Sequence, residues 1–132
     1  MKKLNLKNYE YYFEQVHNTN KETKLDEHQK QVQYYNANKD RFDNVFLKSE
    51  DKWEETAKEI IDGNVYLAHR WRIAKIEQEQ KQLEDKVSDA ELTSDEKNDI
   101  QSKINELNIQ IQDELRNIDK KISEDLAEIN SL

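Results

Sequence analysis

From Ile100 onward the large aliphatic residues fall at a fixed spacing. Ile100, Ile104 and Leu107 are followed by Ile111, Leu115 and Ile118, and then by Ile122, Leu126 and Ile129, which makes three units of eleven residues. An eleven-residue repeat averages about 3.67 residues per turn, so its apolar stripe stays nearly straight or drifts toward a right-handed supercoil. Asn, Gln, Asp, Glu and Lys fill the positions between. This pattern predicts one amphipathic helix from about Asp95 to Asn130. Its start is marked by Thr-Ser-Asp-Glu, in which Thr93 and Glu96 have the spacing of a capping box. Asp95 and Glu96 also suit the positive end of the helix dipole.

Ile73, Ile76, Leu83, Val87 and Ala90 keep a three-to-four spacing, with Gln80 as a polar interruption. Two such helices joined by a short polar link predict an antiparallel hairpin over residues 63–132, turning near 88–94. Gln80 would then help to fix register. Further upstream, Leu25, Val32, Lys39, Phe46, Trp53, Ile60, Leu67 and Ala74 stand seven apart, with His28, Tyr35, Phe42, Ser49, Thr56 and Gly63 between them. This aromatic-rich seam predicts a long helix over residues 21–62. Leu6, Tyr9, Phe13 and Val16 repeat the theme in a short N-terminal helical segment, residues 1–20, with a break expected in His-Asn-Thr-Asn-Lys-Glu-Thr at 17–23. The expected fold class is all-α: an elongated antiparallel helical hairpin or coiled coil with long helices and an additional N-terminal helix.

Residues 63–76, Gly-Asn-Val-Tyr-Leu-Ala-His-Arg-Trp-Arg-Ile-Ala-Lys-Ile, are acid-free and open with the only glycine of the chain. On a helical wheel Val65, Tyr66, His69, Ile73 and Ile76 fall on one side, and Leu67, Trp71 and Ala74 on the other. The hairpin seam and the heptad seam therefore overlap here on opposite faces. Arg70 lies in one gap between them, and Arg72 and Lys75 in the other. The bases form no single stripe, which weighs against a nucleic-acid patch and favours a helix packed on both sides with its bases reaching outward. Asp-Gly-Asn at 62–64 can stop a helix in a left-handed cap. The unbroken phase through Ile60, Gly63 and Leu67 favours a helix that runs on. In that case residues 21–91 form a rod of roughly 105 Å.

Composition narrows the function classes. Hydrophobic residues are 34% and charged residues 38% of 132, with one Gly and no Pro, a balance that fits long helices with narrow seams better than a compact globule. There is no cysteine, so thiolate chemistry is excluded. No apolar run approaches the roughly 20 residues of a membrane span. The first ten residues contain no apolar signal-peptide core. A cytoplasmic or virion location, with no membrane and no secretion by a signal peptide, is the expectation. The excess of 17 Lys over 4 Arg points to AT-rich coding, as in low-GC bacteria and their phages. Net charge is −2 over residues 1–62, +3 over 63–76 and −9 over 77–132, so a polyanion is repelled by the C-terminal half.

Candidate chemistry is sparse. Glu14 and His17 match half of a di-iron helix motif, but neither His28 nor His69 has a Glu three residues before it. One glycine cannot build a phosphate-binding loop. Neither catalytic, metal-binding nor cofactor-binding residues are expected, and no small-molecule substrate. The chain reads as a non-enzymatic structural or assembly protein that associates with protein subunits, copies of itself or others, as in a phage virion or portal-associated complex. Tyr35, Phe42, Phe46, Trp53, Leu67 and Trp71 are the expected partner-binding residues, because the returning helix of the hairpin is too short to cover the aromatic seam. The alternative is an acidic protein that imitates DNA and blocks a nucleic-acid-binding protein.

Overall fold

A computed structural model describes the backbone of residues 6–88 and 91–132 and the side chains of residues 20–88 and 91–132. Four α-helices carry the fold: α1 (Leu6–Asn38), α2 (Trp53–Ile61), α3 (Val65–Val87) and α4 (Ser94–Asn130). Two 3-10 helices, Lys39–Leu47 and Glu50–Lys52, lie between α1 and α2. No strand occurs among the described residues. The architecture is all-α, an elongated antiparallel hairpin of α3 and α4 with the N-terminal helix laid along one end.

The hairpin follows from local chemistry. Thr93 Oγ1 accepts the Glu96 backbone N–H at 3.2 Å, and the Glu96 carboxylate accepts the Thr93 N–H at 3.4 Å, so both sides of the capping box are made. Leu83, Ile104 and Leu107 form the seam of the distal half, with Ile76, Val87 and Ile100 packed against them. Gln80 crosses this seam and donates from Nε2 to the Ile104 carbonyl and to Asn108 Oδ1, each at 3.1 Å. These bonds tie one register of α3 on α4, since a slip would leave the amide without its partners. Ala90 lies outside the described residues.

At the other end the C-terminal half of α1 runs antiparallel to α4 and parallel to α3. Lys21 Nζ donates to the Asn130 carbonyl at 3.1 Å, and His28 Nε2 to the Ile122 carbonyl at 3.2 Å. The break expected at 17–23 is absent, and α1 passes through it. Asn and Thr lower helix propensity by only fractions of a kcal/mol each, and neither Gly nor Pro stands there to stop the turn. The side chains of Leu6, Tyr9, Phe13 and Val16 lie outside the described residues.

The long helix expected over 21–62 is also corrected. The α-helix ends at Asn38, tightens into 3-10 turns and reverses at Lys48 and Ser49, whose backbones are extended. Turning here buries Phe42 on Trp71 of α3 and Val45 in the same core beside α2, and that gain outweighs the local heptad phase. Nor does the helix run on through Gly63. Asp62 (φ 37°) and Gly63 (φ 75°) are both left-handed, and Asn64 restarts the chain. Glycine takes that conformation without steric cost, whereas any other residue strains it. The single rod of 21–91 is thus replaced by three helical runs folded on one another.

Candidate functional site

The acid-free stretch of α3 is the centre of the molecule, and it is covered on two faces. Asn64 begins it: its Oδ1 accepts the N–H groups of Tyr66 and Leu67, both at 3.0 Å. Its Nδ2 donates to the Gln31 carbonyl at 2.9 Å and to Gln31 Oε1 at 2.7 Å. One buried amide thus caps α3 and fastens α1 to it. Beyond the cap, Tyr66 faces α1 and α4, while Leu67, Trp71 and Ala74 belong to the buried core shared with Phe42, Val45 and Ala57.

The six residues expected to bind a partner meet in this core. Phe42 and Leu67 are 0% exposed, Tyr35 and Trp71 are buried, and Phe46 and Trp53 are half-buried. Phe46 stacks on Trp71 at 5.3 Å and 12°, and Trp53 meets Phe46 edge-on at 4.7 Å. Phe42 lies tilted on Trp71 at 5.3 Å, and Tyr35 edge-on to Tyr66 at 6.1 Å. The expectation that this seam stands uncovered is therefore corrected. The chain reverses at 48–49 and closes the seam on itself, an intramolecular cover that a straight helix could not supply.

Arg70 and Lys75 of α3 find partners on α3 itself, on the first 3-10 helix and on α2. Arg70 is buried, not turned outward as expected, and its guanidinium donates to Glu77 at 2.8 Å and lies 3.9 Å from Asp43. Lys75 pairs with Glu54 at 2.6 Å and lies over the Trp71 ring at 5.3 Å. The hydrogen bond from Lys75 holds the Glu54 carboxyl below the usual carboxylate range. Facing α4, Tyr66 donates to Asp125 Oδ2 at 2.8 Å, and Lys121 donates to Asp125 Oδ1 at 2.8 Å. Burial and the Asp125 hydrogen bond both push the Tyr66 phenol well above its ordinary value. Burial alone would raise Asp125, but the bonds from Lys121 and Tyr66 outweigh it and its pKa is lowered. Among the described residues every buried side-chain nitrogen and oxygen has a hydrogen-bond partner.

The feature with open apolar surface is elsewhere. On the outer side of the α1–α4 pair lies a cleft of 450 Å3, lined by Leu25, His28, Gln29, Val32, Gln33, Ile122 and Leu126. Leu126 is 41% exposed, the least covered member of the eleven-residue stripe. Apart from His28, no side chain lining this groove is titratable, in a chain that is 38% charged. Leu25 and Val32 come from one period and Ile122 and Leu126 from another. Both periods are legible in the sequence, and the reversal that sets them side by side is not. Asn64 was equally legible as a residue suited to capping, yet the heptad phase across Gly63 hid it.

Among the described residues no cluster of three or more His, Asp or Glu is placed to hold a metal ion, and no helix is long and apolar enough to cross a membrane. The side chains of Glu14 and His17 lie outside the described residues. No protein-family model matches the chain, and no curated protein or solved structure matches it either.

Proposed function

We propose that the chain is a non-enzymatic assembly protein that takes another helix into the groove between α1 and α4. The groove's apolar, nearly charge-free lining is the observation that carries this reading. Two packed helices leave a trough between their outer faces, and an amphipathic helix lays its apolar stripe into such a trough by ridges-into-grooves packing. The occupant belongs to a protein subunit, and the setting is a larger complex such as a phage virion or portal-associated assembly. The rival reading, an acidic mimic of DNA, rests on the −9 of residues 77–132. Against a continuous acidic face, Arg116, Lys120 and Lys121 interrupt the acids of α4 and pair with Asp113, Glu124 and Asp125.

The test is a photo-cross-linking residue placed at Leu126, or at exposed Glu106 on the distal hairpin, in cells that make the protein. Adducts are expected from position 126 and not from 106. Leu25→Asp with Leu126→Asp should abolish them at low and high salt alike, with circular dichroism unchanged. Asp113→Asn, Glu114→Gln, Asp119→Asn and Glu124→Gln together should leave them intact. Binding lost only in the neutralised variant, and steeply salt-dependent, would overturn the groove reading in favour of the mimic.

A further inference from the structure

Three reversals connect the helical runs, and they are not built alike. The second, at 62–64, has two left-handed residues and the Asn64 cap. The third ends in the Thr93–Glu96 capping box. The first, at 48–52, contains no Gly or Pro. Lys48 (φ −86°, ψ 165°) and Ser49 (φ −61°, ψ 143°) are extended in a way any residue adopts, and neither Ser49 nor Lys52 makes a side-chain cap. Its one side-chain tie is the bond from Trp53 Nε1 to the Lys48 carbonyl at 2.8 Å, beside short backbone bonds from Lys48 N–H to the Val45 carbonyl and from Lys52 N–H to the Ser49 carbonyl.

Two further observations concern the same place. The seven-residue phase of Val32, Lys39, Phe46, Trp53 and Ile60 passes through it unbroken, so a straight helix there is as well patterned as the turn. And Leu47, next to the turn, is 81% exposed. The 3-10 helix leading into it, Lys39–Leu47, is nine residues long, whereas such runs rarely exceed three or four and often mark a hinge.

We infer that this reversal opens into a continuous helix joining residues 39–61, and that the freed arm, residues 6–47, docks on α2, α3 and α4 of a second copy of the chain. The exchange is reciprocal. Each arm remakes in its partner the contacts it makes at home: Phe42 and Phe46 on Trp71, Gln31 on Asn64, His28 on the Ile122 carbonyl. Only the hinge, residues 48–52, changes conformation: its two extended residues and its short 3-10 turn become helical, while Lys39–Leu47 keeps the form that seats Phe42 and Phe46. Domain exchange of this kind reaches a dimer at low cost because no new surface has to be complementary. In a two-fold pair the opened hinges pass each other, which gives the two exposed Leu47 side chains cover. The groove between α1 and α4 is rebuilt in either state, so this inference stands apart from the proposed function.

The test uses the whole chain, refolded from urea at low and high protein concentration and sized by light scattering. A dimer that grows with concentration during refolding is expected. Lys48→Ala with Ser49→Ala removes the side chains at the turn in favour of a strong helix former and should raise the dimer fraction. Ser49→Pro fits the closed turn, since its φ is already that of proline and Lys48 before it is extended. In a helix interior, however, proline lowers the open form by about a hundredfold for each hinge. That variant should stay monomeric with an unchanged helix content. Because the chain has no cysteine, chains carrying Lys21→Cys and chains carrying Asn130→Cys can be mixed, refolded together and joined by a short bismaleimide. Lys21 Nζ lies 3.1 Å from the Asn130 carbonyl, so exchange predicts a heterodimeric adduct. A chain that stays monomeric throughout, the double-alanine variant included, overturns the inference. So does a Ser49→Pro protein that dimerises like the parent, or a dimer that gives no adduct.

Discussion

The two ends of the α3–α4 hairpin carry the same period and end up in different physical states. In the distal half, two helices share one seam: Leu83, Ile104 and Leu107 are buried, and the remaining faces of both helices meet solvent. In the proximal half, α1, α2 and the first 3-10 helix close around α3, and the core extends from Tyr35 to Ile118. The stripe on α4 is regular from end to end, yet Ile118 is buried while Leu126 stands open. Periodicity tells which face a helix turns inward. The number of neighbours around that face decides how deep it lies.

The sharpest way to break this comparison is a pair of truncations. Trp71→Ala removes the ring on which Phe42 and Phe46 pack and should cost about 3–5 kcal/mol in urea unfolding. Leu83→Ala should cost about 2 kcal/mol, the low end for its class, because a two-helix seam can close in part over the gap. Arg72 is exposed, and its replacement by Ala should stay within about 0.5 kcal/mol. Equal costs for Trp71→Ala and Leu83→Ala would mean that the two ends are held alike.

A smaller effect separates local from tertiary roles. Asn64→Ala deletes a helix cap and both bonds to Gln31 at a buried site. A cap alone contributes about 0.5–2 kcal/mol, and the loss here should be about 2 kcal/mol or more. It should also speed amide exchange in α1 but not around Gln80. Exchange that rises equally at both positions would argue against the amide's role as a fastening between helices.

The smallest effect is in pH. Tyr66 has a raised pKa in the folded state, so its contribution is in full below the ordinary tyrosine value of about 10 and is lost as pH climbs beyond it. Asp125 and Glu54 have lowered values, so theirs is present above the ordinary carboxylate range near about 4 and is lost as pH falls below it. All three groups sit at the proximal end. Thermal melts followed by tryptophan fluorescence should therefore shift at both extremes, and Tyr66→Phe should flatten the alkaline limb. Tyr35, also raised by burial, leaves some of that limb behind. A Tyr66→Phe alkaline limb as steep as the parent's would remove the phenol–carboxylate bond from the account.

What was legible in the sequence follows the same division. Helix α4, its Thr93–Glu96 start, the hairpin and the register amide at Gln80 rest on neighbours in sequence, and they stand where the pattern put them. The two-sided packing of α3 was legible too, because Trp71 and Tyr66 point to opposite seams whatever covers them. The end of α1 at Asn38 was not. No breaker marks it, and the turn is made by burying Phe42 and Val45, a gain that exists only once α3 is in place. Gly63 carries its signal in Asp-Gly-Asn, and the unbroken apolar phase from Ile60 to Leu67 masks it. The groove of Leu25, Val32, Ile122 and Leu126 needed both missing turns before its halves could meet.

The contact between the His28 ring and the Ile122 carbonyl has a consequence in time. It joins residues 94 positions apart, and the Lys21–Asn130 bond joins residues 109 apart. The α3–α4 hairpin closes over a few tens of residues, so it forms with little loop entropy and early. On a ribosome moving at about 5–20 residues per second, the docking face for α1 is made roughly 5–20 seconds after α1 itself. In the early part of that interval, until Tyr66 and Trp71 of α3 follow them out, Phe42, Phe46 and Tyr35 have left the ribosome without the rings that cover them. A neighbouring chain on the same messenger, far enough ahead to have completed α4, offers a finished α3–α4 hairpin.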